Sequence, residues 1–411
     1  MKKSRICRGC GYVEFEILLD LGMSPISNSL LNSDDEVAEE IRHPLCVVVC
    51  KKCGFCQLSE DSNPEVHFHA DYVYFSSYSQ SWLEHCRVYA ETMTQELNLK
   101  GNDLVIELAS NDGYMLKNFQ TSGINVLGVE PSANVAKFAQ ESLIPTLVEF
   151  FGFEVSNRIL MKHQKPKLII GNNVLAHVPD VGDFISGISN LIAEDGIVTL
   201  EFPHLTQLIL NHQFDTIYHE HYSYLSVTAL QPIFNRFNLT IFRVEELQTH
   251  GGSIRVYAAK SSSSPEVSAS VEQIILFESK LDPRREIVRA NFRSGVTKII
   301  EDFTSEIREL NSKGLTVIGF GAAAKGNTLL NAAEITRDQI QFIVDTNPAK
   351  QGKLAPGSRI PIVNLEHFVG SEFDVCVVLP WNLSSEILNL VRESHGEKVK
   401  ILRAVPILEY I

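Results

Sequence analysis

The chain has 411 residues, of which 44% are hydrophobic and 21% charged, and its formal net charge is −14. This length predicts two or three globular domains, and the acidic balance excludes nucleic acid or an anionic membrane as the main partner. The sequence contains no apolar run near the ~20 residues that span a bilayer.

The N-terminus has no apolar stretch of the kind found in secretory signals, since Arg5 and Cys7 closely follow Met1. We therefore expect a cytoplasmic protein with reduced thiols. Six of the eight cysteines fall within the first 56 residues. Because disulfides are not expected, this clustering indicates a metal site.

Two CxxC motifs predict a closed zinc site with four thiolate ligands: Cys7, Cys10, Cys50 and Cys53. A zinc ion with four thiolates has no position for water, so we expect a structural role. Two alternatives stay open, because Cys53 and Cys56 form a competing knuckle and Cys46 could also supply a ligand.

Residues from about 80 to 260 alternate short apolar runs with helical stretches, which predicts βαβ units and a mostly parallel sheet. The runs are 104–106, 126–129, 168–170 and 197–200. A serine-rich linker at 261–265 and a helical stretch over about 267–311 follow, and a second α/β pattern has strands at 316–319, 340–344 and 375–379. We predict an α/β protein with domains at 1–75, 76–262 and 263–411.

The stretch 105–113 reads as a strand, a tight turn and a helix start, and Glu130 ends the next strand, followed by Pro131. A carboxylate at that position can accept both ribose hydroxyls of an adenosyl cofactor. Because GxGxxG is absent, S-adenosylmethionine (SAM) is favoured over a dinucleotide. The predicted contacts of the turn are Glu107, Ala109, Asn111, Asp112 and Gly113. An ordinary strand–turn–helix with an N-cap Asp or Asn is the alternative.

Polar groups recur at the ends of later strands. Asn173 and His177 follow the run at 168–170, and the segment 214–222 is dense in titratable side chains. Its histidines favour acid–base catalysis near neutral pH; a solvated loop, or a second metal site through His219 and His221, are alternatives. Further candidate groups are Tyr72, Tyr74 and Tyr78 before the middle domain, and His250 and Arg255 after it.

A second glycine-rich loop at 319–328 has the pattern GxGxxA, and Asp345 ends the following strand 24 residues past Gly321. This is close to a dinucleotide-binding fingerprint. Backbone N–H groups at a helix start bind phosphate whatever the rest of the ligand. The loop therefore fits either NAD(P) or a nucleotide-diphosphate sugar, unless it is only a structural turn.

Taken together, motifs along nearly the whole chain resemble the bacterial nucleotide-sugar C-3 methyltransferases that make branched sugars, such as those of tetronitrose and mycarose biosynthesis. The matching stretches are CRGCG (7–11), DLGMSPISNSLL (20–31), CKKCGFCQL (50–58), VIELASNDGYML (105–116), GVEPSANVA (128–136), NNVLAHVPD (172–180), IYHEHYSYLS (217–226), HGGSIR (250–255), GFGAAAKGNTLLN (319–331), VDTNPAKQGK (344–353) and LPWN (379–382).

The resemblance implies a zinc-binding domain, a SAM-binding middle domain and a C-terminal Rossmann-like domain for the sugar nucleotide. It implies that Cys56 is not a ligand, and it favours a monomer. The active-site positions it implies are His221 as base with Tyr218, Glu220, His177 and Tyr72. With the glycine-rich loop, the predicted substrate contacts are Gly321, Ala324, Lys325, Asn327, Asp345, Arg255 and His250.

The expected activity is SAM-dependent methylation of C3 in a 4-keto-6-deoxy sugar linked to dTDP or GDP, through an enolate. An NAD(P)-dependent sugar-nucleotide oxidoreductase working through the loop at 319–324 is one alternative. A zinc-ribbon regulatory protein with no activity is another, although the net charge of −14 disfavours it.

Overall fold

The computed structural model of the protein describes residues 2–3, 6–32, 40–67 and 76–411. Within these ranges the strands form a four-stranded, a seven-stranded and a six-stranded sheet and one two-stranded pairing. The two-stranded pairing joins β1 (Lys2–Lys3) to β5 (Glu60–Asp61).

The N-terminal sheet is antiparallel, with β2 at Phe15–Pro25, β3 at Arg42–Cys50 and β4 at Cys56–Leu58. Its fourth strand comes from far along the chain: β11 (Ser223–Tyr224) pairs with β4, and Ser223 lies opposite Gln57. A segment of the middle region therefore completes the sheet of the N-terminal region. Helix α1 (Pro64–His67) follows.

The central sheet contains the four apolar runs predicted as strands, and its parallel core confirms the expected α/β class. Its strands are β6 (Leu104–Leu108), β7 (Asn125–Val129), β8 (Thr146–Leu147), β9 (Leu168–Asn172), β10 (Ile197–Pro203), β12 (Leu239–Leu247) and β13 (Ser253–Lys260). Its helices are α2 (Gln80–Glu96), α3 (Leu116–Thr121), α4 (Ala133–Glu141), α5 (Phe153–Leu160), α6 (Val181–Leu191), α7 (Leu205–Leu210) and α8 (Val227–Arg236).

The order of the central sheet is β12-β13-β10-β9-β6-β7-β8, and only the β12–β13 and β13–β10 pairs are antiparallel. The chain starts at β6, builds β7 and β8 on one side and then continues with β9 and β10 on the other. The carboxyl ends of β6 and β9 therefore flank a topological switch point, where open α/β sheets bind ligands.

The C-terminal sheet repeats this plan, with the order β16-β15-β14-β17-β18-β19 and its switch point between β14 and β17. Its strands are β14 (Val317–Phe320), β15 (Ile343–Val344), β16 (Ile362–Val363), β17 (Val375–Val378), β18 (Lys400–Arg403) and the antiparallel β19 (Glu409–Tyr410).

The helical stretch predicted over 267–311 is two helices, α9 (Ala269–Lys280) and α10 (Glu286–Ser312). Pro283 lies between them and has no N–H for a continuous helix. Helix α9 packs on β12, with Val271 and Ile274 in the central core. The predicted linker at 261–265 is thus followed by a helix of the central unit, and the chain leaves that unit only through α10.

Helix α10 lies between the N-terminal and C-terminal sheets. It buries one residue every three or four positions, as an amphipathic helix does: Val288, Phe292, Val296, Ile299, Phe303, Ile307 and Leu310. They share one core with Val47 of β3 and Val375 of β17. The two ends of the chain therefore share a hydrophobic core, and truncating Phe303 to alanine there would cost roughly 3–5 kcal/mol.

The remaining helices are α11 (Ala324–Ala332), α12 (Leu365–Val369) and α13 (Ser384–His395). Across the residues that the structure describes, every helix is too short or too polar to cross a membrane.

Candidate functional site

The structure brings the four predicted cysteines together. The sulfur atoms of Cys7, Cys10, Cys50 and Cys53 all lie within 4.8 Å of one another. The Sγ atoms are 3.5 Å apart in the Cys7–Cys53 pair and 3.6 Å apart in the Cys10–Cys50 pair. Tetrahedral zinc with bonds of about 2.3 Å holds its sulfurs about 3.8 Å apart, so the donor set fits zinc.

Each knuckle is closed by a glycine in the left-handed region. Gly11 has φ 73° and donates its N–H to the Cys7 carbonyl, while Gly54 has φ 75° and donates to the Cys50 carbonyl. A residue with a Cβ would be strained in this conformation. Cys56 lies outside the sulfur cluster, and its thiol contacts the Gly54 carbonyl at 3.5 Å.

The turn after β6 is the second element of the site. Ala109, Asn111 and Gly113 have φ of 57°, 50° and 82°. For Ala109 this left-handed conformation costs roughly 1–2 kcal/mol, and such strain is typical of ligand-binding loops. The side chains of Asn111 and Asp112 accept hydrogen bonds from the backbone N–H groups of Ser76 and Ser77, which fixes the turn against the start of α2.

Two buried carboxylates flank this turn. Glu130 Oε2 accepts the Asn111 N–H at 3.0 Å and Oε1 accepts the Ser132 N–H at 2.8 Å. Burial raises the pKa of Glu130, although these N–H groups act in the opposite direction. Each of its oxygens keeps a second lone pair. Burial also raises the pKa of Glu107 well above its ordinary value, opposed by the Tyr114 hydroxyl.

Asn172 and Asn173 occupy the carboxyl end of β9, on the other side of the switch point. Neither amide atom of the buried Asn172 side chain has a hydrogen-bond partner among the described residues. Asn173 contacts His250 at 3.2 Å between Nδ2 and Nε2. Buried polar atoms without protein partners are explained by a ligand or ordered water, so this edge fits a polar cofactor such as SAM.

His221 and Tyr218 form a hydrogen-bonded pair. His221 Nδ1 donates to the Thr216 carbonyl at 2.8 Å, and its Nε2 lies 2.8 Å from the Tyr218 hydroxyl. Because a carbonyl only accepts, the proton is on Nδ1, and Nε2 accepts from the tyrosine. Burial lowers the pKa of His221 well below its ordinary value, and nearby His177 and Lys325 act in the same direction. The imidazole is therefore neutral at pH 7.

His177 stands beside this pair in the turn Leu175–His177 after β9. The ring centroids of His177 and His221 are 4.6 Å apart in an edge-to-face arrangement. His177 Nδ1 donates to the Glu220 carbonyl at 2.8 Å, and burial lowers the pKa of His177 to about 4. Two neutral imidazoles therefore lie side by side.

Glu220 is bound by the N-terminal region. Asn28 Nδ2 donates to Glu220 Oε1 at 2.7 Å. Burial raises the pKa of Glu220 to about 7, while Asn28 and Lys350 act in the opposite direction. Asn28 was given no role from the sequence, although it lies within the matching stretch at 20–31.

The glycine-rich loop after β14 is closed on itself. Gly321 has φ 88°, and a Cβ there would lie 2.4 Å from Pro380. Asp345 accepts the N–H groups of Ala322 and Asn347, both at 2.8 Å, and the Lys350 ammonium at 3.3 Å. The two N–H contacts repeat those of Glu130, and the Lys350 ammonium is an additional partner. The substrate contact predicted for Asp345 stays a prediction.

Two other polar groups of helix α11 also have protein partners. Asn327 Nδ2 donates to the Ser27 carbonyl at 2.7 Å, and the Thr328 hydroxyl donates to the Ile217 carbonyl at 3.0 Å. Asn327 thus joins the N-terminal loop to the C-terminal region, and its predicted substrate contact stays a prediction.

Lys325 extends from the first turn of α11 towards the histidines. Its ammonium donates to Asn382 Oδ1 at 3.0 Å and lies 4.5 Å from the centroid of the Trp381 ring. Burial lowers the pKa of Lys325 to about 8, and Asp215 acts in the opposite direction. Burial raises the pKa of Asp215 to about 6, opposed by Lys325 and Trp381.

Trp381 connects the two switch points. Its indole N–H donates to Asp215 Oδ2 at 2.6 Å, and a Cβ on Gly251 would lie 2.0 Å from its ring. Asp215 and Trp381 were not predicted as site residues. The matching stretch at 379–382 contained a signal for Trp381, but nothing in the sequence indicated its partner.

Arg255 does not line this cleft with a free guanidinium. It donates to Glu201 Oε2 at 2.6 Å and Glu245 Oε2 at 3.2 Å, and it lies 4.3 Å from the centroid of the Tyr89 ring. These are the contacts of a buried ion pair in the central sheet, and the substrate contact predicted for Arg255 stays a prediction. His250, in contrast, lies beside Trp82, and burial lowers its pKa to about 4. Tyr72 and Tyr74 fall outside the described residues.

Three family models match successive parts of the chain. They are described as "Putative zinc binding domain" at residues 7–68, "Methyltransferase domain" at 82–244 and "C-methyltransferase C-terminal domain" at 248–406. The chain is also 34% identical over 387 residues to C-methyltransferase NovU of Streptomyces niveus, which covers 94% of this chain and 92% of NovU. The chain belongs to this C-methyltransferase family.

Two solved structures are similar to part of the chain. Magnesium protoporphyrin IX methyltransferase ChlM of Synechocystis PCC 6803 with bound SAM is 15% identical, covering 43% of this chain and 79% of ChlM at a TM-score of 0.33. PH0226 protein of Pyrococcus horikoshii OT3 is 12% identical, covering 46% and 95% at 0.37.

The family matches and the sulfur cluster together confirm the expected methyltransferase and zinc-binding character of the chain, and with it the two expected cofactors, SAM and zinc.

Proposed function

We propose that this C-methyltransferase methylates C3 of a nucleotide-diphosphate-linked 4-keto-6-deoxy sugar, with dTDP or GDP as the carrier. The observation that supports this most is the neutral His221, whose Nε2 lone pair faces the Tyr218 hydroxyl at 2.8 Å. Methylation of carbon needs a carbanion equivalent, and a positioned base with an accessible lone pair can generate one.

In this mechanism the C4 ketone makes the C3 proton acidic, because the resulting carbanion is an enolate. His221 Nε2 receives that proton, and the Tyr218 hydroxyl, released from Nε2, donates to a sugar oxygen. The Thr216 carbonyl keeps hold of the Nδ1 proton at 2.8 Å, so the imidazole stays oriented when it becomes charged.

Hydrogen bonds to the enolate oxygen then lower the barrier. One well-aimed donor to such an oxyanion is worth about 3–4 kcal/mol, and Tyr218 and Tyr72 are the proposed donors. The neutral His177, with its proton on Nδ1, is proposed to accept a hydrogen bond from a sugar hydroxyl at Nε2. Glu220, with a pKa raised by burial to about 7, can also hold a hydroxyl of the sugar in either protonation state.

The nucleotide diphosphate is proposed to lie at the start of α11. Gly321, Ala324 and Lys325 supply a close backbone approach, N–H groups at a helix start and a cation. Because Lys325 lowers the pKa of His221 and of His250, its charge already acts across the cleft. An anion bound there would be held near the base.

SAM, when bound, supplies the electrophilic methyl group. We propose that the central switch point holds it through Glu107, Ala109, Asn111, Asp112, Gly113, Glu130, Pro131 and Asn173. The Asn172 amide has no partner within the described part of the chain and supports this assignment, since it offers both a donor and an acceptor at the same edge.

We propose that residues 1–75 bind zinc, residues 76–262 bind the methyl donor and residues 263–411 bind the sugar nucleotide. Helix α9 is the exception within the last range, because it packs on the central sheet. The four-thiolate zinc site has no open position and is proposed to be structural.

The proposal is tested by incubating the protein with SAM and a panel of dTDP- and GDP-linked 4-keto-6-deoxyhexoses in D2O, with detection by mass spectrometry. We expect one sugar to gain one methyl group. His221→Gln should lower the rate by roughly 10²–10⁴-fold. His219→Gln is the matched control, since His219 is buried two residues away and its ring lies against His43.

Methylation in the wild type that persists in His221→Gln would exclude His221 as the base. Deuterium uptake by a sugar without methylation would keep the assignment of His221 as the base and exclude the tested sugars as methyl acceptors. Tight SAM binding with neither signal would exclude the whole panel of 4-keto-6-deoxy sugars.

A further inference from the structure

We propose that Arg8, inside the first zinc knuckle, is a positioning residue that fixes the loops carrying His177 and His221. This inference rests on the proposed function for the roles of the two histidines. The zinc-binding region would then act on the geometry of the active site, beyond stabilising its own fold.

The Arg8 guanidinium bridges the two loops. Its Nε donates to the Pro179 carbonyl at 3.0 Å, and its Nη1 donates to the Tyr222 carbonyl at 2.6 Å. Pro179 lies two residues after His177, and Tyr222 directly follows His221. The planar guanidinium holds its donors in a fixed fork, so it sets the distance between two loops that arise from different strands.

The knuckle in turn fixes Arg8. The residue stands between the thiolate ligands Cys7 and Cys10, and its backbone N–H donates to Gln57 Oε1 at 2.9 Å. Metal coordination on both sides removes most of the freedom of this short segment. The Arg8 side chain therefore extends from a rigid backbone segment.

A second contact from the N-terminal region reaches the same carbonyl. Leu58 N donates to the Tyr222 carbonyl at 3.0 Å, and the next two residues form β11 on the edge of β4. Both donors to this carbonyl thus come from the N-terminal sheet or its knuckle. The segment that carries His221 is held as part of that sheet, while Arg8 adds the link to the His177 turn.

These contacts matter because the His177 ring is oriented by the backbone of the loop that carries His221. His177 Nδ1 donates to the Glu220 carbonyl at 2.8 Å, so a shift of one loop against the other displaces the His177 ring relative to His221. A displacement of about 1 Å in a catalytic group can cost about 10²-fold in rate.

The test compares Arg8→Met with Arg236→Met. Arg236 also holds the knuckle, through the Gly9 carbonyl, but contacts neither histidine loop with that bond. Zinc content, the Kd for SAM, and hydrogen–deuterium exchange of the segments 174–181 and 217–225 are measured, together with kcat on the sugar accepted by the wild type.

For Arg8→Met we expect full zinc content, an unchanged Kd for SAM, faster exchange in both segments and a kcat lowered roughly 10- to 100-fold. Arg236→Met should leave exchange in both segments and kcat close to wild type. Arg8→Lys should fall between, because one ammonium cannot keep both bonds in the fork geometry. If Arg8→Met does not fold, the same measurements on Arg8→Lys test the inference.

Wild-type exchange in both segments of a zinc-loaded Arg8→Met protein would overturn the inference. An equal loss of exchange protection and of kcat in Arg236→Met would also overturn the inference, because general loosening of the knuckle would then explain the effect. Hydrogen–deuterium exchange is measured without a sugar. A wild type that methylates none of the tested sugars would refute the proposed substrate, and the exchange data would still test the role of Arg8.

Discussion

The central and C-terminal sheets share one topology but present different chemistry at their switch points. At the central one, the Asn172 amide has no partner among the described residues, and Glu130 accepts two backbone N–H groups. At the C-terminal one, Asp345 is bound by two N–H groups and the Lys350 ammonium, and Asn327 is bound to the N-terminal loop.

The difference teaches that a glycine-rich fingerprint reports a backbone shape and not a ligand. The loop at 319–324 has the glycines of a dinucleotide site, yet its carboxylate is paired with the Lys350 ammonium. A second cation, Lys325, donates to the uncharged Asn382 amide. A cation suits an anionic diphosphate, whereas the carboxylate of Glu130 suits ribose hydroxyls.

The largest effect that tests this comparison is expected for cofactor affinity. Glu130→Gln should weaken SAM binding by roughly 10- to 100-fold, because hydrogen bonds to a charged acceptor contribute about 1.5–3 kcal/mol. Asp345→Asn should leave the Kd for SAM unchanged and lower the melting temperature, since three donors lose their charged acceptor. Calorimetric titration with SAM and thermal denaturation measure the two outcomes.

A tight NADH complex that Asp345→Asn abolishes would break the comparison. It would mean that the carboxylate leaves its internal partners to bind a ribose.

The next effect concerns the shape of the C-terminal loop. Gly321→Ala should lower the free energy of unfolding by about 2–3 kcal/mol, because a Cβ would overlap Pro380 at 2.4 Å in a left-handed backbone. Gly352→Ala is the control, since Gly352 has φ 77° but open space around the added Cβ. Urea unfolding should show a smaller loss of unfolding free energy for Gly352→Ala than for Gly321→Ala. Equal losses in the two variants would exclude the contact with Pro380 as the cause.

A smaller effect is expected for the cation. Lys325→Met should raise the Kd for dTDP or GDP by about tenfold, in line with the loss of one charge-assisted contact of about 1.4 kcal/mol. Lys350→Met is the matched control, because its ammonium is bound to Asp345 and the Ala322 carbonyl. If Lys350→Met weakened nucleotide binding more than Lys325→Met, the anion site would lie elsewhere on the loop.

The smallest effect is a pH dependence at His250, where the two switch points meet. Its pKa is lowered from 6.5 to about 4 in the folded protein, so the native state binds fewer protons than the unfolded chain between those pH values. Stability is therefore lost as pH falls through this window. Between pH 7 and 5.5, wild type should lose about 1 kcal/mol more than His250→Gln.

Urea unfolding at the two pH values measures this difference. Asp215, with a raised pKa, acts in the opposite direction but is present in both proteins. Parallel losses in the two proteins would mean that His250 titrates normally.

Local patterns carried most of what the sequence could predict. The apolar runs became strands β6, β7, β9 and β10 because strand formation and burial both depend on neighbouring residues. The four cysteines could be paired for the same reason, since each CxxC knuckle is a short-range structure. His177, Tyr218 and His221 were found through their matching stretches, and the structure brings them together.

Contacts across long sequence separations were not readable. Nothing near Trp381 indicates Asp215, 166 residues earlier, and nothing near Arg8 indicates Tyr222. The ion pairs of Arg255 with Glu201 and Glu245 could not be predicted either, because a buried ion pair and a free cation look alike in sequence. The serine-rich segment at 261–265 suggested a domain boundary, although α9 beyond it still packs on the central sheet.

Strand β11 also has a consequence for biosynthesis. The N-terminal sheet gains its fourth strand only from Ser223 and Tyr224, and its core includes residues of α10 and of β17. Domains generally fold in order as the chain leaves the ribosome. Here the core of the N-terminal sheet cannot be completed until the C-terminal sheet has been made. The knuckle residues Cys7 and Cys50 pack in the central core, which includes Ile274 of α9. The nascent chain therefore carries its knuckles, with their thiols, until α9 has been made and that core can close.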